Sequence, residues 1–304
     1  QPANPESDKK NVGGGYLKGG ANYNISDRSN VFFNAGLISR QPNFDAVFPN
    51  YANNVNPDLQ NEEIKSFELG YGYVTNNFKV NVNAYSTVWG NRFVTRSLSN
   101  SQGVDGFAQF KDIDVVHNGI EVESSWNPFD NLRLKGMLSI GDWRYTKDFA
   151  AELFDDNQQS IGTGTLYLKD AKVGDAAQFV SYLEADYRLG SKLNVDLGYR
   201  FVDNLYADYS ITDSEFTQPD NAGALKLPSY GLVDFGTTVR FNLFGNDASF
   251  RVNINNLLDT TYIAESNSNI HADASSTTWN GVDTRNYVWF GFGRTWNASL
   301  KYRF

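Results

Sequence analysis

The stretch Gly293-Arg294-Thr295-Trp296-Asn297-Ala298-Ser299-Leu300-Lys301-Tyr302-Arg303-Phe304 decides the fold. From Trp296 onward, Trp296, Ala298, Leu300, Tyr302 and Phe304 alternate without a break with Asn297, Ser299, Lys301 and Arg303. Side chains on a strand change face at every residue, so the segment is a strand with one apolar and one polar face. It runs out on an aromatic residue, whereas an exposed terminal strand of a soluble domain is usually frayed or blunted by charge. The closing strand of an outer-membrane barrel suits the pattern, because its apolar face meets lipid.

Working back from that strand, the zigzag recurs. Leu17, Gly19, Ala21, Tyr23 and Ile25 lead to a turn at 26–30, and Val31, Phe33, Ala35 and Leu37 return. Phe67, Leu69, Tyr71 and Tyr73 meet a turn at 75–77, followed by Phe78, Val80, Val82 and Ala84. Val116, Ile120, Val122 and Trp126 precede a turn at 127–131, with Leu132, Leu134, Leu138 and Ile140 beyond it. Phe179, Leu183, Ala185 and Tyr187 pair through 189–192 with Leu193, Val195, Leu197, Tyr199 and Phe201. Val233, Phe235, Val239 and Phe241 turn at 242–247 into Phe250, Val252 and Ile254, and the closing strand is expected from 288 to 304. Polar stretches at 40–61, 97–112, 146–176, 203–227 and 263–286 fill the other connections.

Connections therefore alternate short and long, as in outer-membrane barrels with tight periplasmic turns and long external loops. Tyr73, Phe78, Trp126, Tyr187, Phe241 and Phe250 sit beside the tight turns, where an interfacial aromatic girdle belongs. A soluble sandwich rarely keeps its long loops at one end, and no blade repeat supports a propeller.

Composition agrees. No apolar run approaches the ~18 residues of a membrane helix, and mean hydropathy is only -0.47 over 304 residues. A barrel needs no such run, since only alternate residues face lipid. The 17 Tyr and 22 Phe against a single Met are strand rather than helix composition. Cysteine is absent, which removes disulfides and thiolate metal sites. A net charge of -9 argues against nucleic acid as a partner.

The reading gives about eleven strands. An odd up-and-down set cannot close on itself with antiparallel neighbours, so the expected architecture is all-β. It is a transmembrane antiparallel barrel wall forming half of a barrel of about 22 strands, the size of the plugged outer-membrane transporters. Residues 1–304 are then the C-terminal part of one barrel domain, whose plug and first half lie outside this chain.

Three segments carry a family resemblance. They are Val252-Asn253-Ile254-Asn255-Asn256-Leu257-Leu258-Asp259-Thr260-Thr261-Tyr262 with the closing strand, Asn56-Pro57-Asp58-Leu59-Gln60-Asn61-Glu62 leading into Ser66-Phe67-Glu68-Leu69-Gly70, and Arg40-Gln41-Pro42-Asn43-Phe44. In this order the chain resembles the C-terminal part of TonB-dependent outer-membrane receptors. The resemblance implies a multi-pass protein of the Gram-negative outer membrane, surrounded by its lipid. It also implies import of a bound siderophore, glycan or peptide, driven by the TonB-ExbB-ExbD complex through the plug, with a surface lipoprotein as a further partner. It implies that Trp296, Leu300, Tyr302 and Phe304 form a recognition signal for the barrel-assembly machinery. The alternative is a plug-less porin or a structural barrel subunit of a larger assembly. On the residues alone, Asn255, Asn256 and Asp259 suit strand ends and turns through side-chain-to-backbone bonds.

Catalytic constellations are scarce, so no enzyme and no cofactor is expected. The only histidines, His117 and His271, sit at a strand top and in a loop, and a serine hydrolase would need an oriented Ser–His pair. Asp155-Asp156-Asn157 with Gly162 and Gly164 offers calcium oxygens but lacks EF-hand spacing. Gly13-Gly14-Gly15 and Gly291-Phe292-Gly293 lack phosphate-loop context. Substrate contacts are expected from the loops and upper lumen, at Arg92, Arg96, Trp143, Tyr145, Tyr206, Tyr209 and Trp279, with Trp289 and Tyr145 equally suited to an upper lipid girdle. Glu68, Glu121, Glu123, Arg133, Lys135, Asp196, Arg200, Arg251, Lys301 and Arg303 share the non-lipid parity, and Glu123 is expected opposite Lys135.

Overall fold

The computed structural model describes residues 6–48, 53–57, 59–99, 105–155, 157, 159–209 and 214–304. In chain order the strands are β1 (Gly15–Ser26), β2 (Ser29–Arg40), β3 (Glu62–Val74), β4 (Phe78–Ser99), β5 (Asp105–Phe129), β6 (Leu132–Tyr145), β7 (Phe149–Asp155), β8 (Ser160–Leu166), β9 (Phe179–Leu189), β10 (Leu193–Asp203), β11 (Tyr230–Leu243), β12 (Asn246–Asn255), β13 (Ile263–Ser266), β14 (Thr278–Trp279), β15 (Val282–Asp283), β16 (Val288–Phe290) and β17 (Thr295–Tyr302). A single-turn helix, α1 (Phe44–Val47), interrupts the first long connection, capped by the Asn43 side chain accepting the Ala46 N–H.

Eleven of these strands form one antiparallel wall in the order β1-β2-β3-β4-β5-β6-β9-β10-β11-β12-β17. The hairpin β7-β8 branches from β5, while β13-β16 and β14-β15 are separate two-stranded ribbons. The short turns are encoded locally. Phe244 and Gly245 both take positive φ, at 51° and 85°, as a tight hairpin matched to strand twist requires, and Asn242 Oδ1 accepts the Gly245 N–H at 2.9 Å.

Register places every second side chain on one face. On one side lie Phe67 (50% exposed), Leu183 (64%), Leu197 (50%), Trp296 (73%) and Leu300 (63%). Among the described residues this row stays half-exposed or more, which is far more apolar surface than a protein leaves to water. On the other face the register brings all ten charged residues expected there, through rungs such as Arg133-Asp186-Asp196-Gly236-Asn253. Among the described residues no helix is long and apolar enough to cross a membrane.

Four expectations are corrected. Lys135 lies opposite Ser125 and Glu123 opposite Met137, because the chain reverses at Asp130-Asn131, between the paired Phe129 and Leu132, rather than about Phe129; the bulge between Trp126 and Phe129 takes back one residue of that displacement. The ion pair of Lys135 forms instead with Glu184 on β9, at 2.7 Å. The polar stretch 97–112 is mostly ladder, with β4 running to Ser99 and β5 starting at Asp105. The closing strand is split: Val288–Phe290 pairs with β13, and the wall resumes only at Thr295. The stretches 146–176 and 263–286 contain hairpins and ribbons rather than plain loops.

Both buried apolar clusters lie at the long-loop end. The first joins Phe110, Ile113, Val115, Tyr145, Phe149, Leu168, Tyr209 and Phe216, and the second Leu205, Leu225, Leu227, Ile263 and Val282. The wall is therefore thin and one-sided, while the connections above it fold into a cap with interiors of their own.

Candidate functional site

The cap begins where β4 breaks its alternation. Asn91 takes φ 56°, its N–H bonding Asp114 Oδ1 at 3.0 Å, and the pairing slips between Trp89 and Val94. Asn tolerates the left-handed region better than most side chains. The slip re-aims two cations. The Arg92 guanidinium lies 4.6 Å from the Trp89 ring centre and Arg96 5.6 Å from Tyr209. Arg96 also reaches Asp208 Oδ2 at 3.2 Å, tying the tip of β4 to the 204–229 connection. Guanidinium over an aromatic face is favourable and leaves the fork's remaining donors free.

Tyr209 and Tyr145 meet edge-on at 5.6 Å, with Phe110 and Phe149 completing the nest. Tyr145 is thus 5% exposed and belongs to the cap interior. Trp143, two residues earlier on the same face, donates its indole N–H to Tyr85 Oη at 3.0 Å and meets the His117 ring edge-on at 5.5 Å. Its backbone is held by Gln178, a buried amide that accepts the Trp143 N–H at 3.0 Å and donates to the Trp143 carbonyl at 2.8 Å.

The seven sequence-selected residues divide accordingly. Arg92, Arg96, Tyr145 and Tyr209 converge, with Trp143 on the neighbouring ledge. Trp279 packs with Phe290 beside the second cluster, and Tyr206 forms a bridge to Lys226. Trp289 is half-exposed on β16. Gln178, Asp175, Asp208 and Glu265 were not legible beforehand, since each acts through a partner distant in sequence, and Trp89 was not because only the slip at Asn91 brings Arg92 over its ring.

The acidic groups here are electrostatically strained. Partial desolvation by the surrounding loops, then Asp208 and Glu265, push the Asp175 carboxyl up to about 6 against the pull of Arg96. Burial likewise raises Asp208, opposed by Arg96. At the far end of the cap, Asp283 is buried and takes two bonds from Arg285, at 3.0 and 2.7 Å, which hold its carboxyl well below the usual range. His271 pairs its Nε2 with the Gly223 carbonyl at 3.0 Å, a loop-holding contact. Among the described residues no three of His, Asp and Glu come together as a metal-holding group. Asp156 of the calcium candidate and Asp58 of the Asn56–Glu62 segment lie outside the described residues.

A cationic and aromatic cap over a polar wall face can hold a polar or aromatic solute by stacking and charge. A family model described as TonB dependent receptor-like, beta-barrel matches residues 4–257. The chain is 28% identical over 156 residues to the Ferrioxamine B receptor of Salmonella typhimurium, a match covering 51% of this chain and 19% of that protein. Among solved structures, the Copper transporter OprC superposes with TM-score 0.64 at 14% identity, over 96% of this chain and 39% of that one. The siderophore receptor PiuA from Acinetobacter baumannii gives TM-score 0.62 at 16% identity, over 93% and 35%. The Ferric-Catecholate import receptor Fiu from K12 E. coli gives 0.60 at 18%, over 94% and 34%. At these identities the structural likeness is one of fold, and the chain spans well under half of each solved structure.

Proposed function

Because the chain belongs to the TonB-dependent receptor β-barrel family, we propose that it forms the C-terminal half of the barrel of an outer-membrane importer for a surface-bound nutrient. The cargo class is a siderophore, glycan or peptide. Receptors of this family are outer-membrane barrels that work with the TonB energising complex. For this protein the reading adds a plug and a first barrel half outside the 304 residues, energising by TonB-ExbB-ExbD through that plug, assembly by the barrel machinery acting on the Trp296–Phe304 strand, and no catalysis. A surface lipoprotein over the cap completes the set of proposed partners.

One observation carries it: a wall apolar on one face only, topped by a packed cap in which Arg92 and Arg96 lie over Trp89 and Tyr209. The first cargo contacts are assigned to Arg92, Arg96 and Trp143, with Tyr209 and Tyr145 as the support beneath them and Tyr206 and Trp279 on the second cluster's rim.

The test is growth of cells lacking the receptor under iron limitation, on glycan and on peptide in turn. One condition is expected to fail, and removal of TonB should reproduce the failure. Unimpaired growth in all three would overturn the import reading, and a loss that ignores TonB would favour the plug-less porin.

A further inference from the structure

The polar face of the wall is not evenly neutralised. In its middle, Lys135 has Glu184 at 2.7 Å and Arg251 has Asp196 at 2.8 and 2.9 Å. Towards the short-turn end of β10, β11, β12 and β17 the matching stops. A cleft of about 540 Å³ there is lined by Lys192, Arg240, Lys301 and Arg303, with Asp247 as its one carboxylate. Among the described residues none of these four cations makes an ion pair, although the chain as a whole carries -9.

The register shows that the grouping is built in. Arg240, Ser249 and Lys301 occupy one rung across three strands, and the Arg240 N–H bonds the Lys192 carbonyl at 2.7 Å. One level lower, the Arg303 N–H bonds the Asp247 carbonyl at 3.0 Å. From Lys192 to Lys301 the cleft crosses three strand spacings, about 14 Å at ~4.8 Å each. A single tetrahedral oxyanion is too small to meet cations at both ends. An extended peptide advances ~3.3 Å per residue, so carboxylates on every second residue stand ~6.6 Å apart and meet both ends together.

We infer that this cleft is a docking site for an acidic, extended polypeptide segment carrying two or three carboxylates, held inside the barrel. The inference rests on the reading of this face as a barrel lumen. The segment's carboxylates replace the missing counter-charges of Lys192, Arg240, Lys301 and Arg303, while its backbone lies over Ser249. Because the contact is ionic and open to water, it is salt-sensitive and reversible.

The test uses the full-length receptor in outer-membrane vesicles and a zero-length carbodiimide, which links a lysine only to a carboxylate already touching it. An isopeptide bond from Lys301 or Lys192 to an Asp or Glu outside the 304 residues is expected. Arg240→Glu should lower its yield about tenfold, the equivalent of one lost charge-assisted hydrogen bond. Lys301→Arg should abolish the Lys301 link and leave the Lys192 link. Links to Asp247 alone, or none, in a barrel that still shows heat-modifiable mobility overturn the docking site. Complete displacement by inorganic phosphate at ordinary ionic strength overturns it in favour of a small-oxyanion site. A receptor without heat-modifiable mobility would instead overturn the barrel reading on which the site depends.

Discussion

The Lys135 ammonium stands 2.7 Å from the Glu184 carboxylate, on the next wall strand and directly opposite in register. Glu184 is the more covered partner, at 19% side-chain exposure against 45% for Lys135, and it also accepts the Tyr182 hydroxyl at 2.8 Å. A half-exposed pair of this kind contributes modestly. A double-mutant cycle of Lys135→Met and Glu184→Gln, read by urea unfolding in vesicles, should give a coupling of about 0.5–1 kcal/mol. The same cycle on Lys135 and Glu123 should give none, and a coupling there would restore the register that the reversal at Asp130-Asn131 removed.

The two faces of the wall should respond oppositely to charge. Leu197 lies mid-strand on the apolar row and Asn253 on the polar row, opposite Asn297. Leu197→Arg should destabilise the folded wall in bilayers by about 2–4 kcal/mol, and Asn253→Arg by much less. Equal costs would mean that the apolar row does not meet acyl chains.

Gln178 is a buried clamp on the Trp143 backbone. Gln178→Leu keeps much of the volume but strands the Trp143 N–H, while the Trp143 carbonyl keeps the Val173 N–H at 3.0 Å, a loss of about 1–3 kcal/mol from local stability. Hydrogen exchange at the Trp143 amide should quicken while that of β10 stays unchanged; a uniform quickening would count against a local clamp.

The cap should tighten on acidification. The Asp175 carboxyl is pushed up to about 6 from an ordinary value of 3.8, so the folded cap holds its proton to higher pH than the unfolded chain does. Its contribution is complete below the ordinary value and is lost as pH rises through the raised one. Protease nicking of the cap should therefore be slower near pH 5 than near pH 7.5, and Asp175→Asn should flatten that difference. An unchanged pH dependence in the variant would assign it elsewhere.

Arg96 is asked to do two things, to bridge Asp208 and to present charge above Tyr209. Arg96→Ala should weaken cargo binding about tenfold, within the range of an interface anchor, with the folded amount in the membrane unchanged. Arg96→Lys should recover the ion pair more than the stacking. Wild-type affinity in Arg96→Ala would remove the residue from the cargo site.

Period-two alternation made the wall legible, because lipid on one side and water or protein on the other constrain each residue of Phe67–Tyr73 or Leu193–Phe201 singly. Turn chemistry made its short ends legible too. The register across 127–131 was not, since a reversal at Asp130-Asn131 moves Lys135 away from Glu123 without disturbing either strand's own pattern. Nor was the cap: Tyr145 meets Phe110 and Tyr209 across long stretches of chain, and no local period records such contacts. The aromatics chosen for ligand contact therefore included two, Tyr145 and Tyr209, that are buried in the first cluster.

The cap clusters have a thermodynamic consequence. The lower storey is held by its match to bilayer thickness and by an unbroken ladder, whereas the upper storey is an ordinary water-excluding globule perched on it. Heating in vesicles should dismantle them as separate cooperative units, the globule first and with the larger heat-capacity change per residue. Detergents of different chain length should shift only the second transition.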